Sequence, residues 1–166
     1  MRIALAIGVP LAAALLQGSV IPFLTIGGAR PNMPLLVAAS WSLAAGAGEA
    51  VWWAFLGGLA ADLLSGGPLG AFALAILPPV AAIGLGERSI VRPAGVAAGA
   101  AVVGLAALVA GGLYIGALVL AGQPLPAPAV LAAETAGGAI YTGLLAIATY
   151  PLARRVRRAT EKQASF

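Results

Sequence analysis

Charged side chains are so sparse in this chain that they divide it into long apolar stretches. Charged residues make up 8% of the 166 positions and hydrophobic residues 61%, and the mean hydropathy is +1.04. A soluble domain carries roughly 25% charged residues, which supply much of its polar surface. Because this sequence cannot supply such a surface, it predicts an all-α integral membrane protein that crosses the bilayer several times.

Six apolar stretches are predicted to span the membrane, since about 20 apolar residues cross a hydrocarbon core of ~30 Å. The predicted spans are roughly 3–24, 34–46, 49–64, 68–86, 94–122 and 128–150. We expect them to form one bundle, the membrane domain 1–153, followed by a basic cytoplasmic tail, 154–166. The first span could instead be a cleavable signal peptide. Pro78-Pro79 predicts a kink or a break in the fourth span.

The distribution of Lys and Arg predicts the orientation of these spans. With the amino terminus in the cytoplasm, only Arg30 faces outward. The inward-facing set is Arg2, Arg88, Arg92, Arg154, Arg155, Arg157, Arg158 and Lys162. We therefore expect both termini to be cytoplasmic, with Trp52, Trp53 and Tyr150 as aromatic anchors at the inner interface. The four tail arginines, Arg154, Arg155, Arg157 and Arg158, are expected to anchor the chain at the membrane surface.

The residue inventory argues against catalysis. The chain has no cysteine and no histidine, so thiol nucleophiles, imidazole bases and the usual zinc ligand sets are missing. We predict a protein that is not an enzyme and uses no cofactor or metal. The net charge of +4 does not indicate nucleic-acid binding, because most of the basic residues lie in the tail, where a membrane surface is the expected partner.

Asp62 is the only charged residue between Glu49 and Glu87. An isolated carboxylate in hydrocarbon costs ~2.5–3.5 kcal/mol on insertion scales, so it must protonate, pair, or face water or a partner. The predicted topology assigns Asp62, Glu134 and Arg30 to the outer half of the membrane, where they could pair. An internal lock, a partner contact and the handling of an ion or substrate all remain open. Gly58 lies one helical turn before Asp62, on a face of small residues suited to close helix packing.

Two stretches of the sequence together resemble a known family. Arg30-Pro31-Asn32 opens a short apolar span that contains Trp41, and Gly57-Gly58-Leu59 leads through Asp62 to Pro68-Leu69-Gly70-Ala71-Phe72-Ala73-Leu74. This pattern, over roughly residues 30–85, resembles the rod shape-determining protein MreD family. The family often carries Asp where this chain has Asn32, so the resemblance does not extend to a charge at that position.

The resemblance implies a multi-pass protein of the bacterial plasma membrane with no known chemistry of its own. It implies direct binding to MreC, and through MreC a link from MreB to RodA and its transpeptidase partner in the cell-elongation complex. Of the residues carried over, Asp62, Gly70 and Arg30 are expected to determine the fold and the partner interface. With the other motif residues and the outer carboxylate, the predicted structural or partner-interface set is Arg30, Pro31, Asn32, Gly58, Asp62, Gly70 and Glu134. The family is also said to resemble substrate-binding subunits of energy-coupling-factor vitamin transporters. In that alternative, Asp62, Glu134 and Arg30 would line an outward-facing vitamin pocket.

Overall fold

A computed structural model describes residues 2–86 and 95–163. These residues form six α-helices and no strand, as the sequence predicts. The helices are α1 (Arg2–Ser19), α2 (Met33–Ala45), α3 (Ala47–Ser65), α4 (Ala71–Gly86), α5 (Val96–Leu120) and α6 (Pro128–Gln163), with a short 3₁₀ helix at Ile21–Leu24. Arg88 and Arg92, which contribute to the predicted orientation, lie outside the described residues.

Two helices differ clearly from the predicted spans. The sequence predicts a kink or a break at Pro78-Pro79, and the structure shows no break, since α4 continues through both prolines. Ile76 and Val80, on either side of them, are fully buried, and this packing holds the segment helical although each proline lacks an amide donor. Helix α6 extends to Gln163, so the basic segment continues the last helix where the sequence suggested a separate tail.

Contacts between the helices fix their relative directions. Gly99 lies against Tyr150, and Gly111 lies against Thr135, so α5 and α6 are antiparallel. Hydrogen bonds join α2 to α6 in increasing order along both helices, from Asn32 with Thr142, through Ser40 with Thr149, to Ala44 with Arg157. These two helices are therefore parallel.

The ends of the helices gather at two opposite ends of the fold. The starts of α2, α4 and α6 lie together with Arg30, and we call this the Arg30 end. The start of α3 and the carboxyl-terminal parts of α2 and α6 lie together with Arg157, and we call this the Arg157 end. Successive helices thus alternate in direction through the fold.

The core centres on α2, where an aromatic pair fills the space beside α3. The rings of Trp41 and Trp53 stack with centroids 4.7 Å apart and planes 18° from parallel. Trp53 and Tyr150 are 6% and 4% exposed, so the prediction that they are interfacial anchors is wrong. Both rings fill space between helices, which leaves Trp52, at 50% exposure, as the surface aromatic residue of the three.

Two helical segments, Val96–Leu120 and Pro128–Thr160, are long and apolar enough to cross a membrane by length and composition. The apolar stretches Ala4–Ser19, Met33–Ala45 and Ala71–Gly86 are shorter. Large hydrophobic side chains are also exposed on the outside of the fold, among them Phe23, Leu74, Leu105, Leu120 and Ile140. A soluble monomer rarely exposes apolar side chains on this scale.

Candidate functional site

The carboxylate of Asp62 binds the backbone at the start of α4. Its Oδ2 accepts hydrogen bonds from the amides of Gly70, at 3.0 Å, and Ala73, at 3.3 Å, and its Oδ1 accepts one from Phe72 at 3.0 Å. The first N–H groups of a helix have no partner within that helix. Asp62 therefore caps α4 from the neighbouring helix α3. Its side chain is 2% exposed.

Two glycines allow this contact. Gly58 lies one turn before Asp62 on α3, and a β-carbon built there would lie 2.6 Å from the Cα of Ala73. The absence of a side chain therefore lets α3 and the start of α4 approach closely. Gly70 has a φ of 88°, a left-handed conformation that favours glycine, and it turns its amide toward Asp62.

This arrangement decides what Asp62 can do. A carboxylate at a helix start faces the positive end of the helix dipole, which stabilises its charge, and bonds from amides to a charged acceptor are strong. In the part of the chain that the structure describes, Asp62 forms no ion pair with Arg30 and no hydrogen bond with Glu134. The predicted pairing is therefore wrong for Asp62, because backbone amides take the place of the cation.

The start of α2 is held in a similar way. Asn32 precedes the helix, and its Oδ1 accepts a hydrogen bond from the Leu35 amide at 3.0 Å. Gln17 of α1 accepts one from the Met33 amide at 2.8 Å, and Thr142 of α6 accepts one from the Asn32 amide at 3.0 Å. The residue before α2 and two neighbouring helices thus accept hydrogen bonds from the amides at this helix start.

Pro31 and Arg30 lead the chain into this junction. Pro31 is buried. The carbonyl oxygen of Arg30 packs against Gly138, where a β-carbon would lie only 2.8 Å from it. The backbone of this segment therefore fits closely against α6, whereas the Arg30 side chain is exposed.

Arg30 and Glu134 line one small cavity at the Arg30 end, of about 110 Å³, together with Tyr114 and Thr142. Glu134 is exposed and lies against Gly28. Asp62 does not line this cavity, so the three predicted residues do not share one site. The described residues contain no cluster of three or more Asp, Glu, His or Cys side chains that could hold a metal ion.

The four tail arginines fall into two groups. Arg154, Arg155 and Arg158 are exposed, and the Arg154 guanidinium lies 5.7 Å from the centre of the Tyr150 ring. Arg157 is partly buried and donates a hydrogen bond from Nη1 to the carbonyl oxygen of Ala44, near the end of α2. A cation beside a helix end is stabilised by the dipole, so Arg157 also docks α6 onto α2.

Sequence reasoning missed a second, larger cavity at the Arg157 end. It has a volume of about 580 Å³ and lies between α1, α2, α3 and α6. Trp41 donates a hydrogen bond from Nε1 to Glu49 Oε2 at 3.1 Å, and both residues line the cavity. Trp41 lies on α2 and Glu49 on α3, and nothing in the sequence indicates that the two side chains come into contact.

A comparison of the chain with protein-family models, curated proteins and solved structures finds no match.

Proposed function

We propose that this chain is a non-catalytic membrane scaffold of the bacterial cell-elongation complex, as its resemblance to the MreD family implies. In this proposal it crosses the inner membrane six times, with both termini in the cytoplasm. It binds MreC directly and, through MreC, links MreB to RodA and its transpeptidase.

One observation supports a scaffold most directly: each of the two motifs of the resemblance holds the start of a helix. Asp62 and Gly70 hold the start of α4, and Asn32 caps the start of α2. The Asp62 carboxylate accepts hydrogen bonds from three backbone amides and so holds α3 and α4 together. The motif residues therefore suit a protein whose task is to present a fixed helical surface to a partner.

The surface and the helix directions support the membrane placement. Exposed large apolar side chains lie on every described helix except the central α2, as expected if lipid or a partner helix covers the outer helices. Alternating helices bring the Arg154–Arg158 segment to the end that also holds the early residues Leu5 and Ala6. This agrees with the predicted excess of Lys and Arg on the cytoplasmic side.

The vitamin-transporter alternative receives less support. Its pocket would lie at the outer end, where the cavity lined by Arg30 and Glu134 has about 110 Å³. Pockets for small molecules are typically about 300–1,000 Å³. The carboxylate of Asp62, the third residue assigned to that pocket, is already hydrogen-bonded to backbone amides at the start of α4.

Affinity purification of the tagged protein from its native membrane tests the proposal. We expect a bitopic protein with a large outer domain to be recovered with it. Recovery of two ATPases and a transmembrane coupling subunit, or of a bound vitamin, would instead support the transporter alternative and overturn the scaffold.

Two variants of Asp62 sharpen this test. Asp62→Asn is expected to reduce recovery of the partner more than Asp62→Glu, because only the glutamate keeps a carboxylate for the α4 amides. Equal recovery with both variants would contradict a role of the carboxylate in presenting the partner surface.

A further inference from the structure

The cavity at the Arg157 end combines an apolar wall with two opposite charges. Leu5, Val9 and Val37 contribute to the apolar wall, while Glu49 and Arg157 provide the charges. Its volume of about 580 Å³ is in the range of cavities that bind small molecules. The site is thus suited to an amphipathic molecule that carries both a cation and an anion.

Both charges are held in place by the fold. Glu49 accepts the hydrogen bond from Trp41 through Oε2 and is exposed. Arg157 donates to the carbonyl oxygen of Ala44 and is partly buried. A carboxylate and a guanidinium fixed in one cavity offer a matching pair of contacts to a zwitterion.

One residue that lines the cavity also carries a buried polar atom without a hydrogen bond. Trp53 lines the same cavity, is 6% exposed, and its Nε1–H has no hydrogen-bond acceptor in the part of the chain that the structure describes. A buried donor without an acceptor costs about 1–3 kcal/mol, and native proteins rarely leave one. Because this nitrogen is itself covered by protein atoms, the case for a ligand rests on the apolar wall and the two charges.

We propose that this cavity binds one zwitterionic phospholipid of the ethanolamine type. Its ammonium group lies at Glu49, its phosphate at Arg157, and one acyl chain lies along the apolar wall. The inference depends on the membrane placement proposed above, but it does not depend on the identity of the protein partner.

Lipid titration of the purified full-length protein tests this site. The protein is delipidated in detergent, phosphatidylethanolamine or phosphatidylglycerol is added, and bound lipids are counted by native mass spectrometry. We expect one phosphatidylethanolamine to bind about ten-fold more tightly than phosphatidylglycerol, a difference of about 1.4 kcal/mol. Equal binding of the two lipids, or binding without saturation, would show nonspecific surface lipid and overturn the proposal.

Two variants locate the bound lipid. Glu49→Gln keeps an acceptor for Trp41 but removes the negative charge, so it should abolish the preference for phosphatidylethanolamine. Ala153→Leu should fill part of the cavity and weaken binding, whereas Ala132→Leu, at an exposed position outside the cavity, should not. Unchanged binding in Ala153→Leu, in a protein with an unchanged melting temperature, would overturn the assignment.

This experiment is separate from the test of the proposed function. Lipid binding is measured on the isolated protein, whereas partner recovery is measured from the native membrane. Loss of lipid selectivity with normal recovery of the elongation partner would overturn the lipid site alone. A normal lipid site with transporter subunits recovered would overturn the scaffold alone.

Discussion

At the scale of single residues, the Asp62 carboxylate shows how a charge is accommodated in an apolar chain. Its two oxygens accept bonds from three amides at the start of α4. The charge therefore faces fixed dipoles and does not require a side-chain cation. Asp62 thus has a structural role that joins two helices.

Replacing Asp62 by asparagine should destabilise the fold. Asn offers one acceptor oxygen instead of two, and its NH₂ group would face the backbone donors. We expect Asp62→Asn to lower the free energy of unfolding by about 2–4 kcal/mol, seen as a lower melting temperature in detergent. The matched change Glu134→Gln, at an exposed carboxylate, should stay within about 0.5 kcal/mol. Equal melting temperatures for the two variants would contradict the assigned role of Asp62.

Gly58 and Gly8 provide a second matched pair. A β-carbon at Gly58 would lie 2.6 Å from the Cα of Ala73, while nothing lies within 4 Å of one at Gly8. Gly58→Ala should therefore separate α3 from α4 and cost about 1–3 kcal/mol. Gly8→Ala should be neutral or stabilising, because alanine favours helix. Thermal melts of both proteins check this, and a tolerated Gly58→Ala would refute the close approach.

The importance of Asp62 was predictable from the sequence, but its partners were not. A lone carboxylate in an apolar stretch stands out, whereas backbone amides are present at every position and carry no residue signal. Counting side chains therefore favoured Arg30 and Glu134 as partners. Gly58 could be predicted as a close-packing residue, since small residues at four-residue spacing indicate such faces.

At the scale of helices, the start of α2 depends on its own cap residue and on two other helices. Asn32 contributes the local cap to Leu35, while Gln17 and Thr142 come from α1 and α6. The position of α2 is therefore coupled to both neighbours. Asn32 stands where the MreD family often carries aspartate. The helix cap is kept, because asparagine and aspartate both accept a hydrogen bond from an amide at a helix start.

This equivalence can be tested at Asn32. Asn32→Asp should keep the cap and gain about 0.3–1 kcal/mol from the helix dipole. Asn32→Ala removes the acceptor for Leu35 and should cost about 1 kcal/mol. Melting temperatures should therefore rise in the order Ala, Asn, Asp. An Asp variant less stable than the natural protein would show that desolvation of the carboxylate exceeds the dipole gain.

The helix limits were predictable where charge or glycine marks them. The predicted limits of the second and third spans lie close to those of α2 and α3, which meet at Gly46. The extension of α6 through the basic segment agrees with the helix propensity of arginine, whereas the docking of Arg157 on Ala44 could not be predicted, because it is a contact between distant parts of the chain. The continuity of α4 likewise depends on tertiary packing around its prolines.

At the scale of the whole molecule, alternating helices separate the fold into two chemically different ends. The Arg157 end contains the tail arginines and the larger cavity, and the Arg30 end contains the α2 and α4 junctions. This alternation could be predicted from the charge pattern. The packing order of the helices could not, because alanine-rich and glycine-rich faces occur on nearly every helix.

Cysteine labelling tests the proposed orientation, since the natural chain has no cysteine. Ile26→Cys, at a side chain that is 68% exposed near Arg30, should react with an impermeant thiol reagent applied to intact spheroplasts. Ser165→Cys, near the carboxyl end, should react only after the membrane is permeabilised. Labelling of Ser165→Cys in sealed spheroplasts would contradict the proposed topology.

The bond from Asp62 to the start of α4 has a consequence for biogenesis. In the membrane placement proposed above, α3 leaves the ribosome before its carboxylate has amide partners, and its insertion carries the cost of an isolated charge, about 2.5–3.5 kcal/mol at the centre of a bilayer. That cost falls once the segment from Gly70 to Ala73 has been synthesised and has turned back. We therefore expect α3 and α4 to enter the membrane as a hairpin, with α3 held at the translocon until α4 arrives.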